Sequence, residues 1–169
     1  RDGWHERNLH VELLEPVMTA PCIGPLQRIV AVSWSSGRIR LRYIWTAGGG
    51  RDLDTKTFLT FGGAALGGSV GWSFGDSAST YRPGSVQTLN LLDWVSGDNT
   101  HQGGEEYVDA NLDNMLAYAA ASSDPSRQMV INCSAHWYGE LESGQVSFRV
   151  DYLEGASGPD LSTSVTITT

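Results

Sequence analysis

The chain has 169 residues, with 11 basic and 19 acidic side chains for a formal net charge of −8; 40% of residues are hydrophobic and 18% charged. That length fits one domain of ordinary size with a real core, and the composition excludes a disordered polymer. The acidity excludes a nucleic-acid partner, which needs a basic face to displace phosphate counterions, and an anionic membrane surface; with no apolar run near the roughly 20 residues that span a bilayer, membrane insertion is not expected.

In chain order, Leu9–Glu15 reads as a strand set apart by Pro16, Pro21 and Pro25. Residues 1–25 are therefore expected to form an arm, and 26–169 the domain proper. Arg28–Trp34 and Arg38–Trp45 read as strands joined by a Ser35-Ser36-Gly37 hairpin turn. The second alternates cleanly, with Ile39, Leu41 and Tyr43 on one face and three Arg on the other. Thr55–Phe61, Ser69–Phe74, Gln128–Tyr138, Gln145–Leu153 and Leu161–Thr169 follow as further strands, with Leu141–Gly144 as a second hairpin turn. One helix interrupts them. Val108, Leu112, Met115, Leu116 and Ala119 fall on one helical stripe, with Asp109 as its cap and an end near Ala121. Short β-type runs between Gly-rich breaks give an all-β fold: an antiparallel β-sandwich, jelly-roll or Ig-like in general shape, with one short helix.

Both ends of the chain carry β-type sequence. They could lie in the home sheet. Alternatively, the Pro-separated strand, with Leu9, Val11, Leu13 and Leu14 as its apolar set, completes the sheet of a neighbouring copy. That second arrangement predicts a structural subunit that self-assembles into a homo-oligomer or filament. The two cysteines, Cys22 and Cys133, are expected to form a disulfide. It would close a loop of about 110 residues, a constraint the chain-entropy model values at about 4–5 kcal/mol. The alternative is two buried thiols. A first residue that is Arg rather than Met fits either a removed signal peptide or a trimmed boundary. Together these features predict a secreted or cell-surface protein.

The acids are not spread evenly. Asp52-Leu53-Asp54 follows a Gly-rich break, and Asp98, Glu105, Glu106, Asp109 and Asp113 lie within sixteen residues. Carboxylates crowded on Gly-rich loops repel one another unless water, Arg or a hard cation screens them. Calcium suits such loops, because it takes six to eight oxygens in flexible geometry. On a strand, Asp52 and Asp54 point to the same side. The alternative is a solvated acidic loop with Arg51 as partner. His5, His10, His101 and His136 show no ligand spacing, so a transition metal is not expected. Asp52-Leu53-Asp54, then Gly97-Asp98-Asn99, then Glu105-Glu106 running into Tyr107-Val-Asp-Ala-Asn-Leu112 resembles the calcium-binding β-sandwich of the TerD-type tellurite-resistance proteins, over about residues 38–153. The loop after Asn99 is shorter here, and Gly103-Gly104 stands where the family has two Asp. The resemblance implies the sandwich fold and a Ca²⁺ site built from Asp52, Asp54, Asp98, Asn99, Glu105 and Glu106.

Other motifs give rival functions. Gly71-Trp-Ser-Phe-Gly75 matches the nucleophile elbow of a serine esterase using Ser73, with Asp98 or Asp124 and His136 in order behind it. An elbow needs a helix after the Ser, and Asp76–Gly84 is a poor one. Glu140 and Glu142, with Glu105 or Glu106, could pair as in a glycosidase, although nothing fixes their separation. Six Trp invite a carbohydrate-binding, lectin-like module with glycan partners, with Trp72 and Trp94 the least clearly assigned to the core. The sequence thus favours a non-enzymatic calcium-binding sandwich with no catalytic residue.

Overall fold

The structure is a computed structural model that describes residues 9–13, 37–46, 52–101, 103–124, 127–137, 143–154, 156 and 161–168. Its strands are β1 (Leu9–Leu13), β2 (Arg38–Trp45), β3 (Leu53–Phe61), β4 (Ala64–Gly71), β5 (Ser77–Tyr81), β6 (Thr88–Trp94) and β7 (Gly104–Asn111). One helix among the described residues, α1 (Leu112–Ala121), precedes β8 (Met129–Trp137), β9 (Ser143–Leu153) and β10 (Leu161–Thr168). They form two antiparallel sheets, one in the order β1-β8-β3-β4 and the other β10-β9-β2-β7-β6-β5. The all-β sandwich expected from the sequence is what the chain forms.

Period-2 patterning explains the two layers. Along β2 every second residue is buried, from Ile39 to Trp45, and Arg38, Arg40 and Arg42 occupy the other face. Leu41, Leu91 and Val108 from one sheet meet Leu53, Leu59 and Ile131 from the other, all fully buried. Each such side chain contributes on the order of 1.5–3 kcal/mol by leaving water. The outer face of the six-stranded sheet is a charge lattice. The Arg40 Nε and Nη2 donate to Asp109 at 2.7 and 2.9 Å, and the Arg40 guanidinium lies 4.2 Å from the Tyr107 ring centre. Arg42 bridges Glu105 and Asp151. Hydrogen bonding to Asp109 and to Glu105, respectively, holds both Arg side chains above their ordinary pKa.

Four sequence expectations change. The helix starts at Leu112, because Val108 and Asp109 belong to β7, which pairs with β2 out to Arg38↔Asn111. Asn111 then caps it, its side-chain oxygen accepting from the Asn114 amide at 3.0 Å. The Leu141–Gly144 turn is not a hairpin: β8 lies in the four-stranded sheet and β9 in the six-stranded one, so the chain crosses between layers there. The expected Ser69–Phe74 strand begins earlier, at Ala64, and ends at Gly71. Strands β5, β6 and β7 are not among those expected from the sequence. Arg28–Trp34 and its turn to Arg38 lie outside the described residues except at Gly37.

The terminal strands both lie in home sheets of the chain described. β1 pairs with β8, from Leu9↔Cys133 to Leu13↔Met129, and β10 pairs with β9. Leu14 and the rest of the expected 1–25 arm lie outside the described residues.

Candidate metal centre

The acids converge at one end of the sandwich. Strand β3 begins there, with Asp52 just before it and Asp54 inside it. Thr55, Thr57, Leu59 and Phe61 alternate inward, which puts Asp54, Lys56 and Phe58 on the opposite side of the strand. The β6–β7 connection brings Asp98 to the same end. One carboxylate oxygen from each of Asp52, Asp54 and Asp98 can be chosen so that all three lie within 4.8 Å of one another. Asp54 is buried, Asp52 half-buried and Asp98 exposed.

The loop that carries Asp98 is tied down by its own side chains. Gly97 takes a left-handed φ of 67°, which residues with a Cβ adopt at a cost. Asn99 donates its side-chain amide to the Glu105 carbonyl at 3.2 Å and accepts from the His101 backbone N–H at 3.2 Å. The Trp45 indole donates to the His101 carbonyl at 3.2 Å. Gly104 leaves room for this: a Cβ there would lie 2.4 Å from the Asn99 amide nitrogen.

Glu106 lies fully buried behind the loop. One of its oxygens accepts from the Thr55 hydroxyl and the other from the Asn99 backbone N–H at 3.1 Å. Burial pushes its carboxyl up to about 7 against those two hydrogen bonds, and the charges of Asp98 and Asp52 add to the rise. Glu106 therefore registers the negative field of the cluster from the core side.

Of the six residues expected to hold an ion, Asp52, Asp54 and Asp98 come together and Glu106 adjoins them. Asn99 braces the loop with its side chain. Glu105 is on the other face of β7, hydrogen-bonded to Arg42. Adjacent strand residues point to opposite sides, so Glu105 and Glu106 cannot both face one ion from this strand. Thr55 was not singled out from the sequence; its place one residue from Asp54, facing inward, was the available signal.

An all-oxygen donor set with no His or Cys suits a hard cation. Three carboxylates supply three to six oxygens, and the exposed side at Asp98 is open to water for the remainder, which fits calcium's coordination number. The residues present therefore fit the Ca²⁺ expected from the sequence.

The remaining expectations fall elsewhere. Cys133 is a buried free thiol, pushed up to about 12 by burial against a hydrogen bond with Tyr43. Cys22 lies outside the described residues, and with it the expected pairing. Burial also holds the Tyr43 hydroxyl well above its usual range, and it lies 2.7 Å from the Thr57 hydroxyl across the sheets. Ser73 sits in the turn after β4 at φ 63°, and strand β5 follows it where an esterase elbow needs a helix. Glu140 and Glu142 are outside the described residues, as are Trp4 and Trp34. Trp45 and Trp137 are core residues, Trp94 packs partly buried against the core, and Trp72 is exposed.

No protein-family model, curated protein or solved structure matches this chain.

Proposed function

We propose that this chain is a non-enzymatic β-sandwich that binds calcium through Asp52, Asp54 and Asp98, as the TerD-type resemblance implies. The observation that carries the reading is the convergence of three carboxylate oxygens within 4.8 Å from two separate parts of the chain. Three like charges this close, one of them buried, repel strongly at the low effective dielectric of a protein. A divalent cation removes that repulsion and ties the start of β3 to the β6–β7 loop. Binding by the folded state alone stabilises by RT ln(1 + [Ca²⁺]/Kd), about 2.7 kcal/mol at a hundredfold excess over Kd. The role is structural: the ion pins one end of the sandwich, as suits a secreted or cell-surface module. Isothermal titration with calcium, paired with thermal melts in calcium and in chelator, tests it. Heat of binding and a raised melting temperature are expected, both lost in Asp54→Asn and Asp98→Asn. A melt unchanged by calcium, with no heat of binding, overturns the reading and leaves a solvated acidic cluster.

A second reading, self-assembly, is favoured by one further observation. β1 and β10 are the outermost described strands on one side of their respective sheets, and β10 carries no charged residue and no proline. Edge strands of that composition add readily to a neighbour's sheet. Under this reading the chain is a structural subunit joined to further copies through its terminal strands. Light scattering across a concentration series tests it, and a strict monomer at every concentration, with or without calcium, removes it.

A further inference from the structure

The two halves of the acidic end belong to different layers. Asp54 stands on β3 of the four-stranded sheet, and Asp98 on the loop between β6 and β7 of the six-stranded one. The loop is anchored to β7 on both sides of Asp98. Before it, the Val95 N–H donates to the Tyr107 carbonyl at 3.2 Å, and the Tyr107 N–H donates to the Ser96 hydroxyl at 2.9 Å. After it, the Asn99 N–H donates to a Glu106 carboxylate oxygen at 3.1 Å. These bonds place Asp98 relative to β7. Glu106 carries the connection on to the other layer, because its second oxygen accepts from the hydroxyl of Thr55, the residue next to Asp54. Thr55 is fixed in turn by Gly71, the last residue of β4. A Cβ on Gly71, at φ 124°, would lie 2.0 Å from the Thr55 carbonyl oxygen, so the turn after β4 packs directly on β3. Glu106 itself is fully buried, and the group that converges within 4.8 Å is the three aspartates without it.

Resting on the calcium reading above, we propose that Glu106 is the positioning residue of the cation site. It touches no ion. By accepting from residues 55 and 99 at once, it sets the spacing of Asp54 and Asp98 before an ion arrives. Each of those aspartates is one peptide from a residue that Glu106 holds, so neither can retreat far from the other. Ligands spaced in advance lose little conformational freedom on binding. Without the brace, an ion would have to draw the loop inward against the mutual repulsion of the carboxylates. The negative charge of Glu106 also attracts a cation, so the test has to separate charge from position.

Gln and Met make that separation, since both are uncharged and close to Glu in length and bulk. Gln keeps an acceptor for the Asn99 N–H and a polar partner for the Thr55 hydroxyl, whereas Met keeps neither. Calorimetric titration of the full chain with calcium is run on both variants, each verified as folded by its melt in chelator. Glu106→Met is expected to bind at least tenfold more weakly than Glu106→Gln, equivalent to 1.4 kcal/mol. Thr55→Val should weaken binding in the wild-type background and add nothing to Glu106→Met, because both cut the same connection. Asn111→Ala, which lowers stability at the far end of β7, should leave the affinity unchanged. Terbium in place of calcium reads the geometry: the count of bound waters, from lifetimes in light and heavy water, should rise in Glu106→Met and stay at the wild-type value in Glu106→Gln. Equal affinities of the two variants, additive effects of Thr55→Val and Glu106→Met, or an unchanged water count overturn the positioning role and leave calcium binding in place. A water gained in both variants would make Glu106 a ligand, which overturns it as well. A wild type that takes no calcium overturns the cation reading. The brace is then judged in the metal-free protein by hydrogen exchange of the Asn99 amide, expected to be faster in Glu106→Met than in Glu106→Gln, and equal rates overturn it too.

Discussion

Glu106 turns the electrostatics of the acidic end into a measurable pH dependence. Its carboxyl is raised from 4.5 to about 7, first by burial. A raised acid binds more protons in the folded than in the unfolded chain between those two values, so it makes stability fall as pH rises through that window. Below about 4.5 the group is protonated in both states and costs nothing. Above about 7 it is ionised in both, and the folded state carries the full penalty. The 2.5-unit difference corresponds to about 3 kcal/mol at 1.36 kcal/mol per unit. Glu106→Gln removes the titration and keeps the shape. Its amide oxygen can accept from the Asn99 N–H while its amide nitrogen donates to the Thr55 hydroxyl oxygen, so the exchange of charge-assisted for neutral hydrogen bonds adds a pH-independent cost of about 1 kcal/mol. The assay is urea unfolding of both proteins in chelator across pH 4 to 8. The stability of the variant minus that of the wild type should rise by about 3 kcal/mol from the acid to the neutral end. At roughly 2 kcal/mol per molar urea, the midpoint difference would move by about 1.5 M. A difference that stays flat with pH would refute the account of a buried carboxyl. Repeating the series with calcium should lower the upper edge of the window, because a neighbouring cation favours the ionised carboxylate.

Gly71→Ala places a Cβ against the Thr55 carbonyl at a φ that L-residues rarely adopt. It should cost more than about 3 kcal/mol in thermal or urea unfolding, and a near-neutral result would mean the turn is not held against β3. Asn111→Ala removes the cap of α1 and should cost about 1 kcal/mol by urea midpoint, with no change in calcium binding. Cys133 is buried with its thiol pushed up to about 12, so labelling of Cys133 in a Cys22→Ser variant by a thiol reagent at neutral pH should follow the unfolding rate and accelerate in denaturant. Rapid labelling in the native state would contradict its burial.

The parts of the fold legible in the sequence were those where one face is wet and the other dry. The Arg-Ile-Arg-Leu-Arg-Tyr run of β2 alternates without a break, and the structure makes it the strand from Arg38 to Trp45. β5 was not legible because Ser77-Ala-Ser-Thr-Tyr buries only Ala78, leaving almost no apolar signal. β6 hid behind Leu91-Leu92, where two neighbouring leucines are both buried and break the period. The helix boundary slipped because Val108 fits a helical stripe as well as a strand, and only pairing with β2 decides between them. At the acidic end, residue type identified Asp52, Asp54 and Asp98. Which of Glu105 and Glu106 joins them depends on strand parity, and the partnership of Glu106 with Thr55 depends on how two sheets face each other.

The order of strands also sets when each part can form. β2 is hydrogen-bonded to β7 and β9, and β1 to β8, so the first described strands have no partner until the later part of the chain has been made. The pairs between consecutive described strands are β3–β4, β5–β6, β6–β7 and β9–β10. Folding must therefore wait on closures spanning much of the sequence, which makes it slow relative to a helical domain of the same length. During synthesis, β1 and β2 leave the ribosome with their apolar residues unpaired, the interval in which such a chain is most prone to aggregate or to need a chaperone.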